Sequence, residues 1–159
     1  MQLYGNDAFR SLDCTYITLE HFNHNYTCSM KNIELSVFHV NIQCLNAKHR
    51  ALCQFLESLC IDFDVIVLSE IWSCNIKFYR NILPDCNFYY ELSHSGKVGG
   101  VGMYIKSSLG QNVASCKLVN PNSYKVEDLW LQISKNNKNY IVGGIYRHDE
   151  FFVNCEVNC

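Results

Sequence analysis

An amide at Asn41 and a carboxylate at Glu70 are the side chains best suited to form a polar site. Each closes a short run of apolar and β-branched residues, Leu35-Ser-Val-Phe-His-Val-Asn41 and Val65-Ile-Val-Leu-Ser-Glu70. If both runs are parallel strands of one unit, they end on the same edge of a sheet. Ligands of open α/β sheets bind outside such carboxyl ends. A carboxylate there offers hard oxygen to a divalent cation, and a neighbouring amide can orient a phosphate oxygen or supply a second ligand. From spacing alone a plainer reading leads, in which Asn41 caps a turn and Glu70 is a solvated strand end.

Other candidates have structural readings. His39 shares the strand face of Asn41, where a histidine is more often a hydrogen-bonded core residue than a catalyst. Gly99-Gly100 do not join a strand to a helix, so they suit a tight turn or bulge rather than a dinucleotide site. Trp72 and Trp130 read as core residues, with Trp72 near enough to Glu70 to line a cleft. Tyr104 beside Lys106 reads as cross-strand packing. Cys155 and Cys159 share a helical spacing, but two thiols do not close a zinc site.

The elements that must position Asn41 and Glu70 follow from periodicity. Leu35 to Ile42 is apolar enough for a buried strand, with Leu35, Val37, His39 and Asn41 on one face. Asn46 then suits an N-cap, and Leu45, His49, Leu52, Cys53, Leu56, Leu59 and Cys60 form a helical stripe. Asp62-Phe-Asp64 ends the stripe, and Val65 to Leu68 is a fully buried strand. Strand, helix and strand at this spacing make a right-handed parallel βαβ unit.

Phe88 to Leu92 and Val101 to Ile105 flank a glycine-containing turn and predict an antiparallel pair. Asn112 to Val119 predicts a strand. Val126 to Ser134 alternates, placing Glu127, Leu129, Leu131 and Ile133 on one side, and Tyr140 to Tyr146 follows across a polar loop. The class is therefore α/β with an α+β tendency. Residues 1–32 show no sustained period and read as an irregular lead or short helix; 33–159 hold the organised domain.

The chain has 159 residues, 48% of them hydrophobic and 18% charged, with two prolines. That composition supports one folded domain and excludes a disordered or Pro-rich linker. A net charge of −2 excludes the strongly basic footprint of a small autonomous nucleic-acid binder, though not an enzyme that meets phosphates in one cleft. Ten cysteines without a C-x-x-C pair argue for small apolar residues in a reducing compartment. No basic-then-apolar leader and no membrane-length apolar run are visible, so an intracellular protein, nuclear or cytoplasmic, is expected.

Five strings in order carry a resemblance: Leu35-Ser-Val-Phe-His-Val-Asn-Ile42, Phe63-Asp-Val-Ile-Val-Leu-Ser-Glu-Ile-Trp72, Gly99-Gly-Val-Gly-Met-Tyr-Ile105, Val126-Glu-Asp-Leu-Trp-Leu-Gln-Ile133 and Gly143-Gly-Ile-Tyr-Arg147. Together they resemble the endonuclease/exonuclease/phosphatase superfamily, specifically the apurinic-type endonuclease domain of non-LTR (LINE-type) retrotransposons, over about residues 33 to 148. The resemblance implies a four-layer α/β sandwich, two sheets face to face with helices outside. It implies phosphodiester or phosphomonoester hydrolysis with Mg²⁺, or Mn²⁺ in its place, and DNA as the partner. Asn41 matches the active-site asparagine, Glu70 the metal-binding glutamate of a Ser-Glu-Thr-Trp element, and Tyr146 the active-site tyrosine. Ile71 stands where the family has threonine, and Arg147-His-Asp149 departs from the usual ending after that tyrosine.

The family's later elements, Gly-Asp-Phe-Asn and Ser-Asp-His, occur nowhere in the sequence. The expectation is therefore the N-terminal half of a retrotransposon-derived, metal-dependent DNA endonuclease domain, inactive alone. Two alternatives stand beside it: a non-catalytic fragment acting at most as a binding module, and a phosphatase or phosphodiesterase of the same superfamily. The strands from Phe88 to Tyr146 are expected to form mainly one sheet, its inner face left without a second sheet and prone to self-association.

Overall fold

The computed structural model describes residues 17–26, 33–72, 76–93, 98–110, 113–116 and 126–147. In chain order these form α1 (Leu19–Tyr26), β1 (Val37–Asn41), α2 (Leu45–Ser58), β2 (Val65–Ser69), α3 (Ile76–Tyr79), β3 (Cys86–Glu91), β4 (Val101–Lys106), β5 (Val113–Cys116), β6 (Val126–Lys135) and β7 (Lys138–Arg147). The expected βαβ unit is present: β1 runs parallel to β2, with Val37 opposite Val65 and Asn41 opposite Ser69.

The antiparallel strands divide between two sheets, which corrects the expectation of one sheet from Phe88 to Tyr146. One sheet has the order β1-β2-β4-β3 and the other β5-β6-β7. The division follows from burial. All five β2 residues are buried, so β2 needs a neighbour on each side and a cover on each face. β4, buried from Val101 to Ile105, lies antiparallel beside it, with Ser69 opposite Val101 and Val65 opposite Ile105. β3 then closes that sheet.

Two cores result, separated by the period of two along β2 and β4. Ile66, Leu68 and Tyr104 point to one face, where they meet Leu45 and Leu52 of α2, Tyr79 of α3, and Phe88. Val65, Val67, Met103 and Ile105 point to the other, where they meet Leu131 and Ile133 of the second sheet. The inner face expected to lack a partner is thus covered. Gly144 of β7 permits a close approach: a Cβ there would lie 2.6 Å from Val101 Cγ1 and 2.9 Å from Val67 Cγ1. Helices, first sheet and second sheet make three layers. A fourth, on the outer face of the second sheet, is not among the described residues. That outer face exposes Ile141 (65%) and Ile145 (55%) on β7.

Three local readings change. β1 is an edge strand with Val37, His39 and Asn41 exposed, not a buried one, because β2 covers only one of its sides. α2 starts at Leu45 with no side-chain cap at Cys44, rather than behind an Asn46 cap. Its first N–H groups find backbone partners elsewhere: Cys44 N donates to Glu70 O (2.8 Å) and Leu45 N to Ile71 O (3.1 Å). These bonds replace the usual cap at an otherwise orphaned helix start. Trp130 lies half-buried on the outer side of the second sheet, its Nε1 donating to Asp128 Oδ2 (2.8 Å) and its ring filling the space over Gly143.

The N-terminal stretch contributes α1, tied to the far end of α2 by one side chain. Asn23 Nδ2 donates to Ser58 O (2.9 Å), and its Oδ1 accepts the Cys60 N–H (3.0 Å). At the start of β2, Asp64 links the sheets. Its Oδ2 accepts from Ser36 N (2.9 Å), Ser36 Oγ (3.0 Å) and Lys135 Nζ (2.7 Å). Burial alone would raise the Asp64 carboxyl, but the Lys135 ammonium and the two Ser36 donors outweigh it and hold the carboxyl below its ordinary value.

Candidate functional site

The parallel register carries Asn41 and Glu70 to one sheet edge, and the side chains meet. Asn41 Nδ2 donates to Glu70 Oε1 at 2.5 Å. The orientation of the amide is set by its other end, where Oδ1 accepts the Gln43 N–H at 3.2 Å. Asn41 thus does both things its position allowed, forming a turn with Gln43 and touching Glu70. Glu70 is half-exposed, and its Oε2 has no protein hydrogen-bond partner among the described residues.

The segment Glu70-Ile71-Trp72 is held from both sides. On one side Glu70 O and Ile71 O accept from Cys44 and Leu45, and Ser69 O accepts from Ile42 N (3.0 Å). On the other, Ile71 N donates to Gly100 O (3.3 Å) and Trp72 N to Gly99 O (2.9 Å). Between these supports the backbone is left-handed at Glu70 (φ 57°) and Trp72 (φ 52°), and also at Gln43 (φ 46°) and Cys44 (φ 80°) on the adjoining loop. Such conformations cost about 1 kcal/mol or more each for non-glycine residues and persist where the surroundings over-determine them. They turn Glu70 out of the strand line while Ile71 is completely buried in the helix-side core.

Gly99 and Gly100 follow the bend at Val98 into β4, with left-handed φ of 109° and 81°. Beneath them lies a residue that the alternation of Val126 to Ser134 set on one side with Leu129, Leu131 and Ile133 but gave no role. Glu127 of β6 is 1% exposed, and its Oε2 accepts the Gly100 N–H. The signal was present in the sequence: a carboxylate among Leu129, Leu131 and Ile133 on the apolar side of an alternating strand.

Tyr146 is brought to this edge by the β6–β7 register, directly opposite Glu127. It is half-buried, two residues beyond Gly144, on the β7 face that meets the first sheet. His39 is exposed rather than core, with Nε2 3.4 Å from Ser69 Oγ. Trp72 is half-buried. Tyr104 is fully buried, packs on Phe88 at a centroid distance of 4.5 Å and donates its hydroxyl to Tyr79 O (2.8 Å). Burial, the largest cause, raises its pKa. Cys155 and Cys159 lie outside the described residues.

The edge can hold a cation by one carboxylate and orient that carboxylate by an amide. Lys48 adds positive charge beside it, its Nζ donating to Gln43 Oε1 (3.3 Å). Among the described residues no three His, Cys, Asp or Glu side chains group as a metal cage. A donor set of one carboxylate fits Mg²⁺ or Mn²⁺ that keeps water and shares phosphate oxygens, and does not fit a closed structural metal site.

No family model matches the chain, and no curated protein does. Solved structures do match in fold. A humanized D. rerio TDP2 carrying 14 mutations superposes with a TM-score of 0.53 at 15% identity, over 74% of this chain and 52% of that one. D. rerio TDP2 complexed with a single-strand DNA product gives 0.53 at 15% identity, over 73% and 47%. Truncated Caenorhabditis elegans TDP2 gives 0.55 at 14% identity, over 76% and 49%. The chain spans about half the length of these structures. No helix among the described residues is long and apolar enough to cross a membrane. With its βαβ unit, its two facing sheets and these neighbours, the chain has the fold of the endonuclease/exonuclease/phosphatase superfamily.

Proposed function

We propose that residues 33–159 carry the first half of a metal-dependent phosphodiesterase site acting on DNA, of the LINE-type endonuclease kind that the sequence strings resemble. The observation that carries this reading is the bond from Asn41 Nδ2 to Glu70 Oε1 (2.5 Å) at the carboxyl edge of two parallel strands. It fixes one carboxylate oxygen and leaves the other to a ligand. Glu70 is then the cation ligand. Asn41 orients it through Nδ2, and its amide oxygen, which accepts the Gln43 N–H, keeps a second lone pair for the same cation. Tyr146, opposite Glu127 at the same edge, is the proposed partner for a phosphate oxygen. Bound Mg²⁺ or Mn²⁺ would offset phosphate charge and polarise a phosphoryl oxygen. DNA as substrate is supported by the fold shared with a TDP2 structure that holds a single-strand DNA product.

Hydrolysis also needs a group to activate water and donors to stabilise the transition state. The sequence has no Gly-Asp-Phe-Asn and no Ser-Asp-His string to supply them, and residues acting as a unit fail together by about 10⁴ to 10⁶ in rate. The 159-residue polypeptide by itself is therefore expected to bind cations weakly and not to nick DNA.

Two measurements test this. In a Mn²⁺ titration, wild type should bind weakly and Glu70→Gln more weakly still; equal binding removes Glu70 from its role. Supercoiled plasmid incubated with Mg²⁺ or Mn²⁺ should stay intact. Nicking by wild type that vanishes in Glu70→Ala would show that other residues of the chain supply these groups.

A further inference from the structure

We infer that Glu127 is a positioning residue for Glu70, acting across the two sheets through the Gly99–Gly100 turn. Three observations build the chain of contact. Glu127 projects from β6 into the interior at 1% exposure, yet it carries a carboxyl group where its inward neighbours on the strand are Leu129, Leu131 and Ile133. That carboxyl reaches out of its own sheet to accept the Gly100 N–H. The carbonyls of the same turn, Gly99 and Gly100, then accept the N–H groups of Trp72 and Ile71, the two residues after Glu70.

The fit is tight enough to dictate the turn's composition. A Cβ on Gly99 would collide with Glu127 Oε2, and Gly99 has a φ of 109° that side chains rarely adopt. A hydrogen bond between buried groups is costly to leave unmade. The turn is therefore held to the second sheet, and Glu70, with its left-handed backbone, inherits its direction from the turn. Without Glu127, Ile71 would still be buried, but the strand of Gly99–Gly100 would be free to move away from Trp72. Glu127 touches neither Glu70 nor a ligand in this scheme; it sets where the Glu70 carboxylate points.

The inference deepens the reading of Glu70 as a cation ligand and rests on it, but its first test does not need a cation. Amide hydrogen exchange is measured on the full chain for wild type, Glu127→Ala, Glu127→Asp and Glu127→Gln. Asp keeps the carboxyl group and is one methylene too short; Gln keeps the reach and an acceptor oxygen. Ile71 and Trp72 should exchange roughly tenfold faster in Glu127→Ala and Glu127→Asp, the effect of losing one such hydrogen bond. Val67 and Met103, paired within the first sheet, should stay at wild-type rates, and Glu127→Gln should restore Ile71 and Trp72. If Glu127→Ala does not fold, Glu127→Asp carries the comparison.

Acceleration shared equally by Val67 and Met103, or none at Ile71 and Trp72, overturns the inference, as does failure of Glu127→Gln to restore them. Mn²⁺ titration of the same proteins gives the functional arm, with weakened binding in Glu127→Asp recovered in Glu127→Gln. Unchanged Mn²⁺ binding in Glu127→Asp, beside binding that Glu70→Gln does weaken, also overturns it. If wild type and Glu70→Gln bind Mn²⁺ alike, the cation reading fails, and the exchange pattern alone decides whether Glu127 positions the Glu70 segment.

Discussion

Replacing Asp64 with alanine is expected to destabilise the fold by about 3 kcal/mol without touching the Asn41–Glu70 pair, which lies at the other end of β2. The magnitude comes from what Asp64 Oδ2 holds: Ser36 N at 2.9 Å, Ser36 Oγ at 3.0 Å and Lys135 Nζ at 2.7 Å. Hydrogen bonds to a charged group contribute about 1.5–3 kcal/mol each, and breaking a buried ion pair costs about 3–5 kcal/mol. The terms share one oxygen and do not add. The Lys135 side chain is 22% exposed, so its ammonium can turn to water, which moves the figure to the low end. For a chain of this size about 3 kcal/mol lowers Tm by roughly 6–12 °C. Asparagine keeps an acceptor for Ser36 and loses the charge facing Lys135, so Asp64→Asn should show about half the effect.

The pH dependence separates charge from packing. The folded carboxyl lies below its ordinary value, so its stabilisation is complete above the unfolded pKa of about 4 and is lost as pH falls through the folded pKa. The difference between wild type and Asp64→Asn, read from urea unfolding, should be constant near neutrality and shrink in acid. An Asp64→Ala loss below about 1 kcal/mol, or a wild-type/Asp64→Asn gap that does not close in acid, would refute the reasoning.

Gly144→Ala should cost about 1–3 kcal/mol by forcing β7 off Val101 and Val67, measured by denaturant unfolding, with a neutral result showing that the sheets can part at no cost. Ile71→Thr, which installs the hydroxyl common in the resembling family, should lower stability by about 1–3 kcal/mol because the site is fully buried, and should leave Mn²⁺ affinity unchanged. Self-association should run through the outer side of the second sheet, where Ile141 and Ile145 are exposed on a strand paired on only one side among the described residues. Ile145→Lys should therefore shift light-scattering mass towards monomer, and an unchanged mass would place the contact elsewhere.

Local period and chirality made part of this architecture readable from the residues. Val65 to Ser69 is continuously apolar up to its last residue and had to be a buried strand; Leu45 to Ser58 carried a helical stripe; and a crossover of that length makes the strands parallel. From those three facts Asn41 and Glu70 must reach one edge, which is why the pair was legible before any coordinates. Tertiary structure alone decided which sheet the β3–β4 pair would join, because an apolar strand such as Val101–Ile105 suits either, and only the demand of β2 for a second neighbour settles it. It also decided the left-handed backbone at Glu70 and Trp72, the uncapped start of α2 against Ile71, and the Asp64–Lys135 tie across 71 residues of sequence. Glu127 shows the boundary between the two. Its inward face could be counted off the alternation of β6, but its partner belongs to the other sheet, and no periodicity reports which backbone N–H a buried carboxylate will meet.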